Sequence, residues 1–330
     1  MKKLLASLLI ALLAGCATGP RIDHTYTAKG QASRVKFIVL HYTVSDRPSS
    51  IKILSEQQVS AHYLLTDEPN PTIYGLVDET QQAYHAGVSS WKSFTQLNTS
   101  SVGIEIVNPG WKDTPQGRAY FPFPKSQIDA LVTLLKDIVK RNHVAPENIL
   151  GHNEIAPQRK QDPGPLFPWY RLAQEGLIVW PDANRVAAAR PSFEALLPDV
   201  GWFQQRLAAH GYAVPQTGVL DEATRNVMSA FQAKYRPANI DGYLDAETAA
   251  LLEVLTTPAG TVVLPPRAAP AVPTVPAAPT TPAAPAAPAT PATPAAPATP
   301  ATPATPAAPE TPETPATPAT PPAPVVANPQ

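Results

Sequence analysis

Val35-Lys36-Phe37-Ile38-Val39-Leu40 is a short apolar, β-forming run, and it delivers His41 at its C-terminal end. β-branched and aromatic residues suit a pleated buried surface, and an apolar run of this length reads as a buried strand. Further along, Val102-Gly103-Ile104-Glu105-Ile106-Val107 has the same character but carries a carboxylate among aliphatic neighbours. From Ser126 to Asn142, the residues Ile128, Leu131, Val132, Leu135, Ile138 and Val139 fall on one helical face, with Ser126 the expected N-cap. Asn148-Ile149-Leu150-Gly151-His152 is another apolar segment ending in histidine. Strands alternating with helices predict an α/β domain over residues 34–181, a mixed β-sheet flanked by helices.

His41 and His152 close two of these expected strands, and Asp162 follows the second. Two imidazoles and one carboxylate make a plausible three-ligand metal set, which for zinc leaves a fourth position open to water. Such a site retains net positive charge, so it acidifies water and polarises a carbonyl. Taken singly each residue is weak evidence. A lone strand-closing histidine is more often a structural hydrogen-bonder, and an aspartate before Pro163-Gly164 is usually a turn residue.

The combination resembles a known family. His41-Tyr42-Thr43, Ser60-Ala61-His62-Tyr63, Ala83-Tyr84-His85-Ala86-Gly87, Ser101-Val102-Gly103-Ile104-Glu105, Gly151-His152 and Lys160-Gln161-Asp162-Pro163-Gly164 occur in the order seen in type 2 N-acetylmuramoyl-L-alanine amidases. Within that family, Ile155-Ala156-Pro157-Gln158-Arg159-Lys160 and Pro163-Gly164-Pro165-Leu166-Phe167-Pro168-Trp169 are similar to the outer-membrane lipoprotein amidases. The resemblance implies the type 2 amidase fold, shared with peptidoglycan recognition proteins, and a Zn2+ cofactor held by His41, His152 and Asp162. It implies that Glu105 shuttles the proton and that Lys160 steadies the oxyanion during cleavage between muramic acid and the stem peptide. A carboxyl in an aliphatic strand suits proton transfer, because burial raises its pKa. His85, Asn98 and Trp91 are the candidate substrate-binding residues; His62 is expected to be structural.

Residues 197–256 read as a small three-helix domain. Gly218-Val219-Leu220-Asp221-Glu222-Ala223-Thr224 recurs as Gly242-Tyr243-Leu244-Asp245-Ala246-Glu247-Thr248, with Asp221 and Asp245 as natural N-caps. The unit resembles the type 1 peptidoglycan-binding domain, although Arg236-Pro237-Ala238-Asn239-Ile240 departs from that pattern. About 60 residues lie near the lower limit for independent stability, so this unit is expected to lean on its neighbour. Residues 17–33 and 182–196 are expected to be linkers.

The two ends are of another kind. Residues 1–16 combine Met1-Lys2-Lys3, an apolar stretch from Leu4 to Leu13, and Ala14-Gly15-Cys16, which reads as a secretory signal. Leu13-Ala14-Gly15-Cys16 resembles the bacterial lipoprotein box, which implies lipidation of Cys16, the sole cysteine of the 330 residues. Ala17 in place of aspartate implies outer-membrane sorting, facing the periplasm. Residues 257–330 are expected to be a disordered tail rich in Pro, Ala and Thr. From Pro270 to Pro321 a proline recurs at every third position, which would line one edge of a polyproline II rod.

Twenty-five Lys plus Arg nearly balance 26 Asp plus Glu, so charge gives no sign of nucleic-acid binding. The expected partners are peptidoglycan or its muropeptide fragments, with the membrane reached through the N-terminal lipid. Two other readings stand beside the amidase: a silent peptidoglycan recognition module, and a zinc peptidase acting on stem peptides. The full ligand set with Glu105 argues against the first, and the missing His-Glu-x-x-His pattern against the second.

Overall fold

The computed structural model describes residues 20, 22–115, 117–258 and 261–262. The expected lipid site at Cys16 and the proline repeat lie outside them. Strands β1 (Phe37–Tyr42), β2 (Tyr63–Leu65) and β3 (Ile73–Gly75) are followed by a small hairpin of β4 (Ser90–Trp91) and β5 (Phe94–Thr95). Then come β6 (Ser101–Ile106), the hairpin of β7 (Trp111–Thr114) and β8 (Gly117–Tyr120), and β9 (Ile149–Gly151). Helix α1 (Arg47–Glu56) follows β1, α2 (Lys125–Asn142) precedes β9, and α3 (His152–Ile155) and α4 (Trp169–Gln174) follow it.

The central sheet runs β3-β2-β6-β1-β9, with β3 antiparallel to its neighbour and the other pairings parallel. It is therefore the expected mixed sheet. Strand β1 is buried from end to end because both faces of the sheet are covered, as is usual for parallel sheets. Successive side chains alternate between two cores. Ile38 and Leu40 join Val102, Ile104 and Ile106 against Ile128, Leu131, Leu135 and Ile138 of α2. Phe37 and Val39 face the opposite core. Helix α2 begins one residue before the expected cap: Pro124 is its N-cap, and Ser126 lies inside the first turn.

Residues 182–196 are not a free linker. They form helix α5 (Ala183–Ala195), whose N-cap Asp182 accepts the Arg185 backbone N–H at 3.0 Å. The alanine-rich run favours helix despite Pro191, and Val186 and Phe193 pack onto the neighbouring core. Strand β10 (Trp180–Pro181) pairs antiparallel with β11 (Thr261–Val262), so regular structure extends past the boundary expected at 257. β-branched Thr261 and Val262 suit a strand where the proline repeat has not yet begun.

The three expected helices are α6 (Val200–His210), α7 (Glu222–Tyr235) and α8 (Ala246–Thr256). Asp199, Asp221 and Asp245 cap them by accepting the backbone N–H of Trp202, Thr224 and Thr248. The repeated Gly-x-Leu-Asp segments have a shared cause. Buried Gln204 accepts the Gly218 N–H and donates to the Val219 carbonyl; buried Gln232 does the same for Gly242 and Tyr243. Both glycines sit at positive φ, +71° and +74°, where a side chain is strained.

This small domain shares its core with the larger one. Phe37, Val39, Trp91, Leu97 and Leu150 form one cluster with Phe203, Leu207, Val227, Phe231 and Leu252. Trp91, expected to meet substrate, is only 2% exposed and packs edge-on against His210 and Tyr212. Trp91→Ala is therefore expected to destabilise the protein by about 3–5 kcal/mol in urea unfolding. A variant of unchanged stability with a raised KM would return Trp91 to the substrate groove.

Candidate metal centre

Parallel pairing of β1 with β6 places His41 in register with Glu105. Both side chains therefore leave the sheet on the same face, at the carboxyl ends of the strands, where open α/β sheets bind ligands. Strand β9 ends at Gly151, and His152 opens α3 beside them. Asp162 arrives from the following loop, tied to that turn by the Asn153 N–H donating to its carbonyl at 2.9 Å.

Three donor atoms meet at one point. His41 Nδ1 lies 2.9 Å from His152 Nδ1, and each lies 3.0 Å from Asp162 Oδ2. Hydrogen bonds behind the rings determine which nitrogen is bare. Ser101 Oγ donates to the Leu97 carbonyl at 2.6 Å, so it accepts from His85 Nε2–H at 3.1 Å. His85 Nδ1 is then an acceptor for His41 Nε2–H at 3.0 Å, which leaves the His41 Nδ1 lone pair facing the cluster. His152 Nε2–H donates to the Ala86 carbonyl at 3.2 Å, so its Nδ1 is also bare. Two lone pairs and a carboxylate oxygen converging this closely suit a cation. Tetrahedral bonds of about 2.0–2.1 Å need donors about 3.3 Å apart, close to the spacing observed.

The electrostatics favour the metal-binding forms of these groups. Burial and the neighbouring His152 push the His41 imidazole down, toward the neutral ligand form. Burial pushes the Asp162 carboxyl up, but His152 and His41 outweigh it and hold the group below the usual carboxylate range. Burial and the Asp162 charge raise Glu105 from 4.5 to about 8, with Lys160 opposing. One Glu105 oxygen, Oε2, is buried without a hydrogen-bond partner. His41, Glu105, His152, Lys160 and Asp162 all line one cavity of 640 Å³.

The remaining expected residues divide. His85 borders the cavity, but its ring is committed to His41 and Ser101. Asn98 is not on the cavity wall; its Oδ1 accepts the backbone N–H groups of His85 and Ala86 and so holds that loop. Trp91 is absent from the cavity wall because it belongs to the core between the domains. His62 Nδ1 accepts the Gly103 N–H, a structural role as expected. Sequence reading missed Trp111 and Arg118 of the β7–β8 hairpin, and Glu222 and Asn226 of α7, all of which border the cavity. It also missed Ser101 and Gly103, although alternation along β6 puts them on the face of Glu105. A Cβ on Gly103 would stand 2.3 Å from the His85 ring, so glycine is required there.

Residues 31–165 match the Amidase_2 model, N-acetylmuramoyl-L-alanine amidase, and residues 197–252 match a model for a peptidoglycan binding domain. The chain is 42% identical over 260 residues to N-acetylmuramoyl-L-alanine amidase AmiD of Escherichia coli K12, covering 74% of this chain and 93% of that protein. Its structure is similar to that of E. coli AmiD in complex with the substrate anhydro-N-acetylmuramic acid-L-Ala-D-gamma-Glu-L-Lys. The TM-score is 0.66 at 41% identity, over 73% of this chain and 95% of that one. It is also similar to AmpDh3 of Pseudomonas aeruginosa, with a TM-score of 0.67 at 39% identity, over 72% and 98% of the two chains. With a relative this similar matched over nearly its whole length, the chain belongs to the N-acetylmuramoyl-L-alanine amidase family.

Proposed function

We propose that this amidase works with a zinc ion held by His41, His152 and Asp162, with Glu105 as its acid-base residue. The observation that carries the reading is the convergence of two bare imidazole nitrogens and a carboxylate oxygen beside an unpartnered, protonatable glutamate. Bound there, zinc would supply Lewis acidity toward water and toward the scissile carbonyl. Glu105 takes a proton from the attacking water and returns it to the departing alanine nitrogen. Its burial in the sheet disfavours the charged carboxylate, which suits a group that must accept a proton. Lys160, exposed on the cavity wall, presents an ammonium to the negative charge that develops on the lactyl carbonyl oxygen.

The substrate class proposed is peptidoglycan and its muropeptide fragments. The cavity is large enough to take sugar and peptide together, and both relatives have been crystallised with anhydromuramic peptides. Outer-membrane attachment through Cys16, facing the periplasm, is supported by the signal-like segment before it and by Ala17 after it.

Dialysis against a chelator is expected to abolish release of stem peptide from purified sacculi, and one equivalent of zinc to restore it. Mass spectrometry should then find a new L-alanine amino terminus; activity surviving complete metal removal would reject the zinc reading. Glu105→Gln should retain metal, measured by atomic absorption, while kcat falls by about 10²–10⁴. A loss smaller than tenfold would assign the proton transfer elsewhere.

In the metal-free protein Glu105 also affects stability. Its folded pKa is raised, so the stabilisation it contributes is complete below about 4.5 and is lost as pH rises through about 8. The melting temperature of Glu105→Gln should therefore match wild type in acid and exceed it increasingly between those values. Parallel melting profiles across that range would contradict the raised pKa.

A further inference from the structure

We propose that Lys234, on α7 of the helical domain, is a positioning residue for the candidate ligand His152, acting through Glu154. Lys234 is 5% exposed and Glu154 1% exposed, and they meet across the boundary between the two domains. The ammonium lies 3.0 and 2.9 Å from the two Glu154 oxygens and 3.2 Å from the Ile149 carbonyl. Its three protons therefore have three acceptors, two of them on the carboxylate two residues beyond His152. Glu154 Oε2 in turn accepts the Gly151 N–H at 2.7 Å, which closes the turn that presents His152. Trp169 lies over the ammonium at 4.4 Å and also walls in Gly151, where a Cβ would be 3.2 Å from the indole.

The turn held this way carries more than His152. The Asn153 N–H donates to the Asp162 carbonyl, so Lys234 steadies two of the three candidate ligands from a different domain. A carboxylate buried this deeply would push away from its surroundings without a cation, and the Gly151-Glu154 turn would move with it. The helical domain is thus a working part of the centre as well as a module attached to it.

The inference rests on the zinc reading, and the test separates the two. Zinc affinity is measured by competition with a chromophoric chelator for wild type, Lys234→Met and Phe231→Leu, with folding checked by circular dichroism. Phe231 is buried in the same core but supplies no charge to Glu154, so it reports general loosening. Lys234→Met is expected to weaken zinc binding about 10–100-fold, the usual effect of losing an outer partner of a metal ligand, with Phe231→Leu near wild type. If Lys234→Met does not fold, Lys234→Met with Glu154→Gln leaves no unpaired charge and is expected to show the same loss. Wild type without zinc affinity would overturn the zinc reading itself. Wild-type affinity in the folded Lys234 variant, or an equal loss in Phe231→Leu, would overturn the positioning role.

Discussion

The parallel ladder between β1 and β6 is the constraint on which the remainder of this structure depends. With His41 opposite Glu105, alternation sends Phe37, Val39, Ser101 and Gly103 to the same face and Ile38, Leu40, Val102 and Ile104 to the other. One face becomes the apolar contact with α2; the other packs toward the helical domain and carries His41 and Glu105 into the cavity at its carboxyl end. A slip of one residue would drive Glu105 into the aliphatic core and expose Ile104 at the site. The small residues on the cavity face leave a space that the His85 ring fills, and that ring sets which His41 nitrogen is bare. Ligand chemistry is thus a consequence of strand register.

Burial around the centre is extensive, and several of its charged and polar groups have a specific answer to their loss of water. Asp162 is matched by two imidazoles, Glu154 by Lys234, and the His85 loop by Asn98. Glu105 differs: one oxygen has no partner and the group is driven toward its protonated form. A structural carboxylate would be better served by a partner, whereas a group that must gain and lose a proton works best when neither state is held too firmly.

The helical domain is too small to bury an ample core alone, and it completes one by packing on the face of the sheet that carries His41. Trp91 is the largest fully buried side chain at that junction, and Glu222 and Asn226 reach from α7 to the cavity edge. The helical domain and the candidate metal centre therefore share a surface. A domain whose helices border the cleft constrains how a glycan chain can approach it.

The sequence by itself determined the alternation of strands and helices, the caps at Asp221 and Asp245, and the family, because periodicity, capping chemistry and ordered motifs are local properties. It also singled out His41, His152, Asp162, Glu105 and Lys160, which the fold brings to one cavity. It left open where Trp91 and Asn98 would lie, since a loop residue before a motif reads the same whether it faces solvent, a neighbouring domain or its own backbone. It read residues 182–196 as a linker, since an alanine-rich segment becomes a docked helix only when a partner surface receives Val186 and Phe193. Only the tertiary structure decided which imidazole nitrogens are bare and that Lys234 reaches Glu154. Those facts depend on groups far apart in the chain that meet only when the sheet, the loops and the helical domain are packed together.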